Sequence, residues 1–586
     1  AFTDLIGEYS LNIDKRLQFE LIVEGSPEKP KATINFKNEE KTVLAKIELN
    51  NQRLSLSFTL EDVSYRLSGS ANDASARILS GKTLLDNEWK DWAAIKKKTE
   101  KEVHNEALND TTKSQSTPLS RIRYPNKAYG WDSIPKKPMA IVFRNATVWT
   151  NESNGILKEH DVVIFDGKIQ MVAFKINLDV MFPEKATEIQ EIDLKGKHLT
   201  SGIIDEHSHI AIEKGVNESS QAVTAEVRIG DVINADDINI YRQLSGGVTA
   251  AQLLHGSANP IGGQSALIKL RWGQTPEEMK IKEAEGFIKF ALGENVKQSN
   301  WGDRKTVRFP QTRMGVEQVF YDAFSRAYEY RAEQKLYSVK SKKDKKTAIA
   351  PRTDLELEAL VEIIDSQRFI TCHSYIQSEI NMLMHMADSM GLRINTFTHI
   401  LEGYKLADKL KAHGAAGSTF SDWWAYKFEV NDAIPYNGAL MHRQGVLTGF
   451  NSDDAEMGRR LNQEAAKAVK YGGLSEEEAW KFVTLNPAKM LHLDNRMGSI
   501  KAGKDADLVV WSVNPLSIYA KAEQTYIDGI KYFDQALDKQ MRNEIRSERN
   551  RIITLMLNEK SKGKEVQKVK DEKKKLYECN TVEVLD

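Results

Sequence analysis

The sequence predicts an α/β protein: a (β/α)₈ TIM-like barrel with a discontinuous small β-sandwich domain and an N-terminal antiparallel β-domain. Three observations lead there. Over residues 199–495, apolar strand-like runs alternate with amphipathic helical patterns, as in SGIIDEHSHI, GGVTAAQLLHG, GFIKFALGE, RFITCHSY, RINTFTHI and GVLTGFNSDD. Strands apolar on both faces and spaced by helices are parallel βα units, and many in succession close into a barrel. Residues 1–95 show period-2 alternation instead. Finally, β-patterned sequence on both sides of the barrel, at 139–198 and 496–515, reads as one small composite domain that the barrel interrupts.

Taken in order, KATINFK, TVLAKIELN, RLSLSFTLE and SYRLSGSAN alternate apolar and polar residues between short polar turns. That is an antiparallel meander with one buried face, an accessory domain whose residues carry no recognisable chemistry. A charged linker occupies 96–138. MAIVFRNATVWT, DVVIFDGKIQMVA and IDLKGKHLT then resume the strand pattern, with DGK as a tight turn. After the barrel, GSIKAGKDADLVVWS is extended again and returns to the small sheet. Residues 516–586 read as a helical tail that becomes Lys- and Glu-rich, with the composition of a solvated end.

Composition narrows the partners. With 586 residues the chain exceeds a single core. Its 82 Lys and Arg against 83 Asp and Glu give a net charge of −1, which lacks the basic face of a nucleic-acid binder. No apolar run approaches the roughly 18–20 residues of a membrane span, so no membrane partner is expected. A small-molecule substrate is expected, and a homo-oligomer is compatible with the sequence. The two cysteines, Cys372 and Cys579, make neither a disulfide framework nor a Cys-based zinc site. The chain opens at Ala1 without a visible signal peptide. Localisation is open, with a lean toward a periplasmic or exported bacterial protein.

The chemistry sits at strand ends. SGIIDEHSHI ends in His207-Ser208-His209, whose alternation points both imidazoles to one side, where they can share a divalent cation. Asp205 precedes them on the same face. RFITCHSY ends in His373, INTFTHI in His399, and GVLTGFNSDD in Asp453 and Asp454. A single such histidine is more often a satisfied core residue, but His or Asp at four separate strand ends is the pattern of a metal site. Water bound to a divalent cation falls to a pKa of about 7, which makes hydroxide available at neutral pH. Asp453 can ligate and also act as general base, while His399 or the metal polarises a carbonyl. Neutral His373 and His399 are required for ligation, so acid should release metal.

These motifs resemble the amidohydrolase superfamily, nearest its imidazolonepropionase-like branch. SGIIDEHSH is similar to a "PGLIDxHxH" first-strand motif, with Ser201 in place of the usual Pro. LNPAKMLHLDNRMGSIKAGKDADLVVW is similar to the "NPAxxLGL…GSIxxGxDADLVV" segment. The resemblance covers about 139–515 and implies metal ligands at His207, His209, His373, His399 and Asp453, holding one or two divalent ions, with zinc the expected metal. The fourth-strand ligand stays open between Glu294, at the end of GFIKFALGEN and favoured on its reach, and Lys289, where some members carry a bridging carboxylated lysine. The implied reaction is hydrolysis of a C–N bond in an amide, dipeptide-like or cyclic amide substrate. A deaminase or esterase-type activity, and an inactive barrel serving as a binding scaffold, are the rivals.

Weaker candidates for substrate contact are Tyr375, Arg228, Gln264 and Arg313. Residues 255–266 (HGSANPIGGQSA) form a Gly-rich stretch able to bring backbone N–H groups to a ligand, though it is not a phosphate-binding Walker loop. SDWWAYKFE (421–429) reads as a pocket wall or lid, and Asp454 as a helix cap.

Overall fold

The computed structural model describes residues 2–13, 17–36, 39–50, 53–60, 63–71, 76–85, 88–97, 123–125, 129–178, 189–213, 215–302, 308–423, 425–561 and 563. They belong to two compact units, 1–122 with 539–572 and 123–538 with 573–586. Most of the 96–138 linker, the Lys- and Glu-rich tail and Cys579 lie outside the described residues.

In the first unit the alternating sequence becomes eight strands: β1 (Gly7–Ile13), β2 (Leu17–Ser26), β3 (Lys29–Phe36), β4 (Glu39–Asn50), β5 (Arg53–Leu60), β6 (Val63–Ala71), β7 (Ile78–Leu85) and β8 (Glu88–Lys96). Each pairs antiparallel with the next, and β1 pairs with β8, closing a barrel. The single buried face expected from the pattern is therefore the barrel interior. Every second residue of β2 points there (Phe19, Leu21, Val23), and Phe58 stacks on Tyr65 at 4.9 Å to fill it. An eight-stranded barrel is narrow enough for side chains alone to occupy, and closure leaves no open edge.

The second unit holds a sheet built from two distant stretches. Its first stretch supplies β9 (Ala140–Trp149), β10 (Ile156–Phe165), β11 (Lys168–Phe174), β12 (Ile189–Asp193) and β13 (His198–Ser201). The second supplies β23 (Leu508–Trp511), β24 (Ala522–Ile527) and β25 (Ile530–Asp534). The order is β11-β10-β9-β13-β23-β24-β25, with β12 beside β9. Two corrections follow. These strands hydrogen-bond as one eight-stranded sheet, not as the two sheets of a sandwich. The domain also runs past 515, because 516–534 is not helical tail: KAEQTYIDGIKYFD makes a hairpin turning at Asp528 (φ 51) and Gly529 (φ 74). Its strands are short and only partly buried, so their alternation is weak. The tail becomes helical at Gln535–Ser561.

Between these stretches lie β14 (Ile203–Ser208), β15 (Val248–Leu253), β16 (Ile261–Gln264), β17 (Ala266–Lys269), β18 (Gly286–Ala291), β19 (Arg368–Ser374), β20 (Ile394–His399), β21 (Ala416–Thr419) and β22 (Thr448–Phe450). One sheet runs β14-β15-β17, with β14 and β15 parallel; the other runs β16-β18-β19-β20-β21-β22, parallel from β18 onward. Parallel neighbours need crossovers, and helices provide them: Arg313–Ser338 and Leu355–Ile364 before β19, Gln377–Ser389 before β20, Ala407–His413 before β21 and Asn437–Arg443 before β22. The apolar sides pack into one core that includes Ile288, Phe290, Phe320, Phe324, Ile370, Leu383, Ile394 and Phe397. The strands' C-terminal ends are thereby gathered together. Gly202, just before β14, is required by close approach, since a Cβ there would lie 2.0 Å from Thr249 Oγ1. Among the described residues no helix is long and apolar enough to cross a membrane.

The KDADLVV segment is anchored by one buried lysine. Lys269 at the end of β17 is fully buried, with its Nζ 2.8 Å from Asp505, 2.9 Å from Asp507 and 2.6 Å from Asp528. Arg271 and Lys168 add further cations, on Asp528 and Asp505. Burial opposes the Lys269 ammonium most, but the charges of Asp507, Asp528 and Asp505 outweigh it and lift its pKa above the ordinary value.

Candidate metal centre

β14 delivers His207 and, just beyond it, His209. Each ring is held by its Nδ1: His207 lies 2.8 Å from Thr398 Oγ1, and His209 donates to the Leu254 carbonyl at 2.9 Å. Such partners fix the tautomer and turn Nε2 toward the common centre. There the two Nε2 atoms stand 3.2 Å apart, and each is 3.3 Å from Asp453 Oδ1. His207, His209 and Asp453 form a group able to hold a metal ion, with all three ligand atoms within 4.8 Å of one another.

β19 and β20 bring the other two imidazoles. The His399 ring centroid is 4.7 Å from that of His207 and 4.5 Å from that of His373, and His399 Nε2 is 3.7 Å from Asp453 Oδ2. Both rings are fully buried, and all four of their nitrogens lack a hydrogen-bonding partner among the described residues. Leaving buried polar atoms unsatisfied costs about 1–3 kcal/mol each in an ordinary core. Imidazole nitrogens beside a carboxylate are instead what a divalent cation such as zinc requires, so the residues present fit a metal. His399 (φ 66) and Asp453 (φ 49) also hold left-handed backbone conformations, which persist only where surrounding structure over-determines them.

The electrostatics agree with ligation. Burial pushes the pKa of His207 and His373 well below the usual value and that of His399 down to about 3, so all three are neutral at physiological pH. Burial raises the Asp453 carboxyl, but His399, His209 and Lys289 more than offset this and keep it ionised.

Of the two fourth-strand candidates, Lys289 is the one placed beside the imidazoles. Lys289 on β18 is fully buried and places its Nζ 3.1 Å from His207 Nε2. Glu294 is not part of the group: its carboxylate lies 3.3 Å from Lys427, and its N–H donates to Glu429. The long Lys289 side chain inside the strand bundle reaches the imidazoles, while the shorter Glu294 at the rim turns to the neighbouring loop.

Of the weaker candidates, Tyr375 alone meets the group, its ring 4.7 Å from that of His373 and stacked at 5.5 Å on His399. Arg228 is an exposed partner of Asp231, Arg313 pairs with Glu379, and the Gln264 amide donates to the Ala225 carbonyl. The Gly-rich stretch forms β16 and packs against its own protein. Cβ atoms on Gly262 and Gly263 would meet His255 at 2.8 Å and Val227 at 2.6 Å, so these glycines serve close packing. Asp454 caps the following turn, accepting from Glu456 and Met457 N–H. Phe420 stacks between His399 (5.0 Å) and Trp423 (4.4 Å), the latter in the 421–429 segment.

Two acidic residues sit deeper. Asp205 does not join the imidazoles, because the pairing of β14 is irregular between Asp205 and Ser208. It accepts instead from Ser452 N (3.0 Å) and Oγ (2.5 Å). Glu206, which sequence reasoning passed over, is fully buried, and strand alternation offered no signal for it. Burial raises Asp205 to about 7 and Glu206 to about 8, and Glu429 beside the site also reaches about 7. Groups with raised folded-state pKa values stabilise the fold below their unfolded pKa near 4, and that contribution is lost as pH climbs through the folded value. Over about pH 5 to 6.5 the depressed buried histidines pull the other way, so metal-free protein should melt at progressively lower temperature from about pH 7 to pH 8. Calorimetry across that range checks this, and a flat profile contradicts it.

With the geometry in view, relatives of known family can be set beside the chain. An amidohydrolase family model matches residues 436–532. The protein is 31% identical over 440 residues to amidohydrolase tasK from Hapsidospora irregularis, covering 68% of this chain and 43% of that one. The chain thus spans less than half of that relative's length. An imidazolonepropionase from Thermoplasma acidophilum is 22% identical over 389 residues, covering 61% of this chain and 83% of that protein. The crystal structure of an amidohydrolase from Thermotoga maritima MSB8 superposes with a TM-score of 0.60 at 33% identity, covering 67% of this chain and all of that one. The chain belongs to the amidohydrolase superfamily.

Proposed function

We propose that the protein is a metal-dependent hydrolase that cleaves a C–N bond in an amide, dipeptide-like or cyclic amide substrate. The observation that carries this reading is the set of buried, unpartnered imidazole nitrogens of His373 and His399, facing His207, His209 and Asp453. In this reading the two sheets that carry them are arcs of one (β/α)₈ barrel. His207, His209, His373, His399 and Asp453 hold the metal, one or two zinc-like ions, with Lys289 as the fourth-strand group. A divalent cation supplies Lewis acidity and brings the pKa of a coordinated water down to about 7. Asp453, ionised and against three imidazoles, takes the proton of the attacking water and passes it to the leaving nitrogen. Thr398 and the Leu254 carbonyl keep the first two rings in register, and Phe420 and Tyr375 exclude bulk water from one side.

The test is metal analysis followed by a screen. Purified protein should carry about one or two equivalents of zinc or another divalent ion per chain. Chelation should abolish turnover and lower thermal stability, since a ligand at 100 times its Kd stabilises the native state by about 2.7 kcal/mol. The metal-replete enzyme is then offered N-acyl amino acids, dipeptides and cyclic amides. A folded protein that binds no divalent metal and turns over none of these ends the proposal.

A further inference from the structure

The wall beside the metal group holds a cation of the protein's own. Lys427 sends its Nζ inward to a point 3.2 Å from Glu429 Oε1 and 3.3 Å from Glu294 Oε1. The same ammonium lies 4.1 Å from the centre of the Tyr375 ring and 5.7 Å from that of Tyr426. The Glu429 side chain is only 4% exposed, and its other oxygen accepts the Glu294 N–H at 3.0 Å. The two phenols stand 3.5 Å apart. Two carboxylates and two aromatic faces around one ammonium are the chemistry of a cation-binding pocket. A lysine needs nothing so elaborate to be satisfied at a surface, and two carboxylates share this single charge. The pocket also has a wall in common with the metal group, because Tyr375 stacks on His399 and touches His373.

We propose that Tyr375, Tyr426, Glu294 and Glu429 form a recognition site for the ammonium or guanidinium group of a substrate, which Lys427 fills in the free protein and yields when that substrate enters. The idea rests on the hydrolase reading and narrows it to amides that carry a basic group, such as lysyl or arginyl dipeptides. Lys427 then acts as a competitor that lowers the affinity for cations and admits only substrates able to displace it.

The experiment uses the full metal-loaded chain as wild type, Lys427→Met and Glu429→Gln. Two readouts are taken. One is kcat/KM for matched dipeptides containing lysine or norleucine, which differ in the ammonium alone; the other is calorimetric binding of n-butylammonium, which needs no turnover. Lys427→Met should raise the lysine-to-norleucine ratio about tenfold and tighten n-butylammonium binding by a similar factor. Glu429→Gln should lower the ratio, and it serves alone if Lys427→Met does not fold. An unchanged ratio with no alkylammonium binding overturns the inference while leaving the hydrolase intact. Equal losses on both dipeptides in Lys427→Met also overturn it, since Lys427 would then be anchoring a substrate carboxylate. If no dipeptide turns over but n-butylammonium binds Lys427→Met more tightly than wild type, the hydrolase reading fails and the cation site stands.

Discussion

Asp453→Asn should reduce kcat by about 10²–10⁴-fold while leaving the protein folded. The carboxylate lies 3.3 Å from both His207 and His209 and 3.7 Å from His399, and the neighbouring cationic and imidazole groups keep it ionised. Asparagine has the same shape but cannot accept a proton at neutral pH. It also tolerates the left-handed conformation at this position (φ 49), which alanine would not adopt without strain. The main-chain bond from Asp453 N–H to the His207 carbonyl survives the change, so β14 and the end of β22 remain tied. Steady-state kinetics with the best substrate of the screen, together with a melting curve, make the measurement. A variant within tenfold of wild type would remove Asp453 from the proton-transfer role.

Lys269→Met should cost about 3–5 kcal/mol of stability, the usual penalty for removing one partner from a buried ionic cluster. Three aspartates meet at the Lys269 ammonium, all within 2.9 Å, and its side chain is 0% exposed. Methionine fills the volume but leaves Asp505, Asp507 and Asp528 facing one another, with Arg271 and Lys168 as partial compensation. The three aspartates come from the segment that returns to the composite sheet, so the loss should appear as loosening of β23–β25. Burial already raises Asp507 to about 6 with the lysine in place. Without it the carboxyls bind protons more readily, and the destabilisation should be smaller at pH 5 than at pH 8. Denaturant titration at both pH values checks size and sign. A loss below about 1 kcal/mol would mean the cluster adds nothing net, as some buried ion pairs do not.

The residues gathered at the candidate site were legible because strand ends have a recognisable pattern, an apolar run terminating in His or Asp, which singles out His207, His209, His373, His399 and Asp453. Their order in sequence says nothing of distance, yet the parallel pairing from β18 to β22 brings the last three together. Glu206 and Lys427 were missed because nothing in their local pattern distinguishes them from ordinary polar residues. Arg228, Gln264 and Arg313 lie apart from this group, paired with Asp231, the Ala225 carbonyl and Glu379.

What the sequence alone determined was the set of His and Asp residues at strand ends, the alternation of the N-terminal strands and the return of GKDADLVVW to an earlier sheet, since each is a local signal in residue type and period. Only the tertiary structure decided that Lys289 reaches the centre while Glu294 turns to Lys427, that the N-terminal sheet closes on itself, and that β24 and β25 complete the composite sheet. The physical reason is common to all three. Side-chain reach, sheet closure and strand pairing depend on which distant segments come within a few ångströms, and hydrophobic periodicity records burial without recording the partner.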